Sequence, residues 1–144
     1  GLGDVYKRQP VFLLLLSSQV TAGTTFGELA ENCKTAVQLS EAGESAIIRK
    51  DWHAMIQAEK CWTYLNSFQE ALAWFAIKQA SQETPEPGMK KILEHLPFCV
   101  PDSVSIKQQA LIITNHAVRN PAHAKWPAAP VFGEIMLKQY PFKQ

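Results

Sequence analysis

Apolar residues recur along this chain at intervals of three and four, and no run reads as a convincing strand. The first such segment opens at Thr25-Phe26-Gly27-Glu28. That is a capping box, in which the Thr25 hydroxyl accepts an early backbone N–H and the Glu28 carboxylate reaches back. It predicts a helix from about Phe26 to Leu39, with Phe26, Leu29, Ala30, Cys33 and Val37 on one face. Glu41 to Lys50, containing Gly43, predicts a polar connection. Asp51 is a suitable N-cap for a long second helix reaching Ala80. There Trp52, Met55, Ile56, Glu59, Trp62, Leu65, Phe68, Leu72 and Phe75 recur at helical spacing and predict a core-facing stripe. Trp62 and Trp74 lie nearly opposite on the wheel, so contacts on two sides are expected.

Two prolines between Ser81 and Gly88 predict a loop. Met89 to Leu96 fits a short helix ended by Pro97. A second capping box, Ser105-Ile106-Lys107-Gln108, opens a helix with Ile106, Ala110, Ile113 and Ala117 on one face. Asn120-Pro121 stops it. Trp126-Pro127 opens the last helix, with Pro127 suited to its first turn. In it Val131, Ile135 and Lys138 alternate with Phe132, Met136 and Tyr140, and Pro141 closes it. Pro130 forbids an early helical hydrogen bond, so an irregular first turn is expected. The expected fold is all-α, a compact bundle of about four to five helices ending in a helical hairpin. No internal repeat or long linker divides it.

At 144 residues the chain has one domain's length. Its 47% hydrophobic content excludes low-complexity disorder and collagen. A net charge of +1 leaves no basic footprint for nucleic acid. No apolar run approaches the roughly 20 residues that span a bilayer.

The N-terminal stretch reads poorly as structure. Asp4-Val5-Tyr6-Lys7-Arg8-Gln9 is the direct translation of GATGTGTATAAGAGACAG, which resembles a transposase adapter of sequencing libraries; residues 1–9 are expected to be an artefact. Pro10 to Ala22 is a leucine-rich run followed by small and polar residues, and Val20-Thr21-Ala22 suits a signal peptidase site before Gly23. Residues 10–22 therefore read as a truncated secretory signal, and residues 23–144 as the mature domain. Export to an oxidising compartment makes a disulfide staple permissible. The cysteines are Cys33, Cys61 and Cys99, an odd number that leaves one unpaired within the chain or linked to another molecule.

Chemistry is sparse. His53, His95, His116 and His123 form no HExxH, and no CxxC pair occurs, so no metal site is expected. There is no GxSxG, Walker A or GxGxxG, and the carboxylates are scattered on polar faces. No cofactor and no enzymatic activity are expected; elimination points to a protein that binds.

The C-terminal third is the informative stretch. Phe98-Cys99-Val100-Pro101 is followed by Val104-Ser105-Ile106-Lys107-Gln108, then Asn120-Pro121, Pro127-Ala128 and Tyr140-Pro141. This resembles the Rap/Tai family of periplasmic type VI secretion amidase immunity proteins, whose pattern is Phe-Cys-x-Pro, Val-Ser/Thr-x-x-Gln, His/Asn-Pro, Pro-Ala and aromatic-Pro-Cys. The spacing holds without a gap from Phe98 to Pro141. Upstream, Cys61-Trp62-Thr63-Tyr64-Leu65-Asn66-Ser67 is similar to the family's Cys-x-Gly-Tyr-Ile-x-Gly, with Thr63 and Ser67 in place of both glycines. Leu29 and Cys33 resemble its first-helix Leu and Cys. The missing glycines put close packing of the second helix in question. The family's final Cys is here Phe142.

The resemblance implies a Cys33–Cys61 disulfide with Cys99 as a free thiol; Cys33–Cys99 and Cys61–Cys99 are the alternatives. It implies a periplasmic inhibitor that occludes the cleft of a peptidoglycan amidase effector, with a homodimer compatible, and with no nucleic-acid or membrane partner for the mature form. For the partner contact the expected residues are Asn120, His123, Lys125 and Trp126, on a loop held between two capped helices. Residues 81–88 are the competing surface, and Trp126 capping the core is the structural alternative. A small periplasmic acid-stress chaperone is the alternative function.

Overall fold

A computed structural model of the chain describes residues 23–43 and 51–141. The adapter-like stretch, the signal-like segment, most of the connection before Asp51, and Phe142 lie outside the described residues. Among the described residues there are five α-helices: α1 (Phe26–Ala42), α2 (Trp52–Glu83), α3 (Met89–Leu93), α4 (Ile106–Arg119) and α5 (Ala128–Gln139). A 3₁₀ turn, Pro121–Lys125, joins α4 to α5. Among the described residues, strand-like pairing is limited to two isolated bridges, Thr25–Pro127 and Phe98–Pro141. The molecule is an all-α, disulfide-stapled bundle.

Local chemistry starts the helices where the sequence predicts. Thr25 accepts from the Glu28 N–H at 3.2 Å while Glu28 accepts from the Thr25 N–H at 2.8 Å. Ser105 and Gln108 repeat the box on α4, at 3.2 and 2.7 Å. The Asp51 carboxylate accepts from the Ala54 N–H and caps α2. Each bond satisfies an N–H that the helix leaves without a partner. α1 runs on past Leu39 to Ala42, ending at Gly43, whose φ of 58° suits a residue without Cβ. α2 continues to Glu83, so the loop predicted from Ser81 is shorter. Thr84 is extended, as the residue before Pro85 prefers. The expected irregularity at Pro130 is absent: α5 begins at Ala128, and Pro130 falls in its first turn, where a missing N–H costs no helical bond. Pro127 takes the N-cap position just outside the helix.

α1 packs along α2 and across α4, and it also touches the 3₁₀ turn and α5. The core comprises Phe26, Leu29, Cys33, Ala36 and Val37 from α1, with Ala58, Cys61 and Leu65 from α2. Phe98, Ala110, Ile113, Val131, Phe132, Ile135 and Met136 complete its larger members. Cys33 and Cys61 form the disulfide, with Cα atoms 4.9 Å apart, and Cys99 is a free, exposed thiol. Two glutamines cross the interior: Gln69 Nε2 donates to Gln109 Oε1 at 2.7 Å, which satisfies the 2% exposed Gln109.

The predicted stripe of α2 needs correction. Leu65 is fully buried, and Trp62, Phe68 and Leu72 pack partly against the core. Trp52, Ile56 and Phe75 instead face outward, at 65%, 56% and 49% exposure. The inner face is lined by the smaller Ala58 and Cys61, and further along by Ala76 and Ala80. The disulfide draws α1 and α2 together where the side chains are small, so the large ones fall on the flanks and outer face. The replaced glycines are not at this contact. Thr63 and Ser67 are exposed and line an open groove of about 1260 Å³ between the first half of α1 and residues 57–67 of α2. Tyr64 shares that groove. Burial raises its pKa, and its hydroxyl has no hydrogen-bond partner among the described residues.

α3 is tied to the end of α2 through Glu83, which pairs with Lys91 and lies 3.2 Å from His95 Nε2. Beyond it the chain returns to the bundle. The Cys99 N–H donates to the Tyr140 carbonyl at 3.3 Å beside the Phe98–Pro141 bridge. The C-terminal end therefore comes back to Cys99 as far as Pro141.

Candidate functional site

The four residues singled out for partner contact lie on the α4–α5 connection. Asn120 ends α4 with φ −132° and ψ 65°, and Pro121 opens the 3₁₀ turn. The Asn120 N–H and its side-chain Nδ2 both donate to the His116 carbonyl, at 2.9 and 3.0 Å. The His123 N–H donates to the Asn120 carbonyl, and the Trp126 N–H to the His123 carbonyl. The far end is pinned to the start of α1. Phe26 N–H donates to Trp126 O at 2.8 Å, and Ala128 N–H donates to Thr24 O at 2.9 Å. Backbone bonds at both ends present the turn as a fixed shape.

Gly27 lets the turn come this close. A Cβ there would meet the Ala124 carbonyl oxygen at 3.0 Å and the Ala124 Cβ at 3.2 Å. Two effects compete in Gly27→Ala. Helix propensity favours alanine by up to about 1 kcal/mol. Overpacking costs roughly 1–3 kcal/mol. We expect a net loss of about 1 kcal/mol by urea denaturation, because the crowded atoms are backbone and Cβ and cannot rotate away. Amide shifts concentrated at Ala124 to Trp126 would locate the strain; an unshifted turn and an unchanged stability would refute the contact.

Four rings run in series beneath and along the turn. Phe26 meets the edge of His116 at 5.5 Å between centroids, and His116 lies 5.2 Å from His123. His123 stacks on Trp126 at 4.5 Å with an interplanar angle of 20°. His116 Nε2 and His123 Nδ1 are 3.0 Å apart, a hydrogen bond between imidazoles. Burial, then the neighbouring His123 and Lys138, hold the His116 pKa below the usual histidine value; Glu134 acts in the opposite sense. Glu134 accepts from Lys138 at 2.8 Å, and that bond and charge lower its own pKa. A recess of about 330 Å³ opens between α4 and α5, lined by His116, Arg119, Asn120, His123, Glu134 and Lys138 among others.

Asn120 and His123 thus share one recess. Trp126 stands beside it, 52% exposed, with its ring supported by His123. That exposure replaces the reading in which Trp126 caps the core. Lys125 is exposed on the turn and does not line the recess. His116 completes the arrangement and carries no signal in sequence. It is seven residues from His123, across a helix end, where neither helical nor strand periodicity relates the two. No group of three or more His, Cys, Asp or Glu that could hold a metal occurs among the described residues. No helix among them is long and apolar enough to cross a membrane. No protein-family model, curated protein or solved structure matches the chain.

Proposed function

We propose that this chain is a periplasmic immunity protein that binds a type VI secretion peptidoglycan amidase effector and occludes its active-site cleft. The observation that carries the reading is the half-exposed Trp126 on a turn fixed at both ends by backbone bonds. A half-exposed aromatic held by a fixed turn and a stacked neighbour loses little entropy on docking and suits a central contact with a partner. The motif residues from Phe98 to Pro141 supply the family side of the argument, and the Cys33–Cys61 disulfide fits an oxidising compartment. Inhibition by occlusion requires no chemistry from the inhibitor.

The test is protection from lysis. The open reading frame beside this gene is expressed with a periplasmic signal, with and without this protein, and turbidity is followed. The expected result is lysis that the protein prevents. Lysis proceeding undiminished would reject the pairing. Trp126→Ala is expected to weaken binding of that effector by at least about 30-fold, corresponding to about 2 kcal/mol at a central contact. Calorimetric titration of the purified pair measures this, with an unchanged helical spectrum as the folding control.

A second reading, a small periplasmic chaperone, draws on a different surface. Trp74, Phe75 and Ile77 are exposed on the far half of α2, and Met89 is exposed at the start of α3. Such side chains suit loose contact with apolar clients. Suppression of aggregation of several unrelated proteins would favour it; binding to a single partner favours immunity.

A further inference from the structure

We propose that His116 and His123 form an acid-sensitive clasp. It holds the Pro121–Lys125 turn against α4 while the two rings share at most one proton beyond the neutral pair, and it opens when both are protonated. The reasoning begins with the 3.0 Å separation of His116 Nε2 and His123 Nδ1. In the neutral pair one nitrogen donates and the other accepts. One added proton leaves an N–H facing a lone pair and the bond survives. A second places two N–H groups and two positive charges at the same contact, so the bond is lost and the rings repel.

The surroundings oppose that second proton. From α5 the pair is faced by Lys138 and by Glu134, whose charge is already engaged with Lys138. From α4 comes Arg119, and from α1 the uncharged Phe26 ring; Lys125 of the turn is exposed and lies outside the recess. The ionised groups around the recess are therefore cationic on balance. The His116 pKa is lowered first by burial and then by His123 and Lys138. A histidine whose pKa is lower in the folded chain stabilises the fold above its unfolded value, here 6.5. That contribution disappears as the pH falls through the folded value.

Opening is expected to be local. The ends of the turn stay pinned through Asn120 and through Trp126 and Ala128, whereas His123 reaches α4 through its side chain. When the clasp opens, His123 swings away and Trp126 loses its stacking partner. The clasp depends on the geometry of the turn whatever the turn binds. Under the immunity reading, acid would also loosen the effector, but the test below needs no partner.

The experiment is an NMR titration of the isotopically labelled protein from about pH 7.5 to about pH 4.5, across the ordinary histidine range. The ring signals of the two histidines distinguish uptake of the first proton by the pair from uptake of the second. The amides of residues 121–126 should move in the second step, while those around Cys33 and Cys61 remain still. His116→Gln keeps a hydrogen-bonding amide but cannot titrate, and should abolish the movement of the turn. His123→Gln serves the same purpose should the first variant fail to fold. Turn amides that stay still through the second step, or that move equally in the variant, would overturn the clasp.

Discussion

Replacing Phe132 with alanine is expected to cost roughly 3–5 kcal/mol, the range for truncating a buried aromatic. Phe132 is 1% exposed. Its ring meets Phe68 at 4.9 Å and Tyr64 at 6.2 Å, both edge-on, so it joins α5 to α2 through aromatic contacts. Truncation removes the transfer free energy of the ring and leaves a cavity that its two aromatic neighbours cannot fill by a simple rotamer change. The loss would take a large share of the roughly 5–15 kcal/mol that holds a domain of this kind folded. Urea denaturation should show a lower midpoint with an unchanged slope. Leu137→Ala is the comparison on the same helix. Leu137 is 46% exposed, and its truncation should cost well under half as much. Equal losses at the two positions would mean that α5 does not bury the face described.

Removing the Cys33–Cys61 bridge, by Cys→Ala at both positions, is expected to destabilise the protein by about 3–4 kcal/mol. That estimate comes from the chain entropy of a closed loop of this length, the cysteines being 28 residues apart. The bridge fastens α1 to α2, the pair on which α4 and α5 are laid, so its loss should be felt throughout. Thermal unfolding followed by circular dichroism should move down by on the order of 10–20 °C. Reduction of the wild-type protein should reproduce the shift. Cys99→Ser should change little, because that thiol is exposed. Non-reducing peptide mapping should recover one linked pair containing Cys33 and Cys61. A bridge through Cys99 in that experiment would refute the arrangement.

Much of the secondary structure was legible because it is set by near neighbours. Thr25 with Glu28, Ser105 with Gln108, and Asp51 with Ala54 each close a helix start across three residues. Pro85, Pro121 and Pro141 stop or divert the chain for reasons intrinsic to the proline ring. Faces were less secure. On α4, Ala110 and Ile113 turn inward as their spacing requires, because that helix has one clear apolar side. On α2, apolar side chains occur all round the wheel, and spacing alone cannot say which of them faces α1.

The candidate site shows the same division. The place of the turn could be anticipated from Asn120-Pro121 and Trp126-Pro127, but not whether Trp126 faces outward or caps the core. Nor could the support beneath them. His116 joins His123, Phe26 packs edge-on against His116, and Gly27 admits Ala124 only once α1 and the α4–α5 connection are brought side by side. The sequence by itself determined where the helices start, the all-α class and the place of the turn, since these depend on hydrogen bonds and dihedral preferences within a few residues. Tertiary structure decided which face of α2 is buried, which cysteine stays free and which histidines meet. Those outcomes depend on the approach of elements distant in the chain, and no local spacing encodes it.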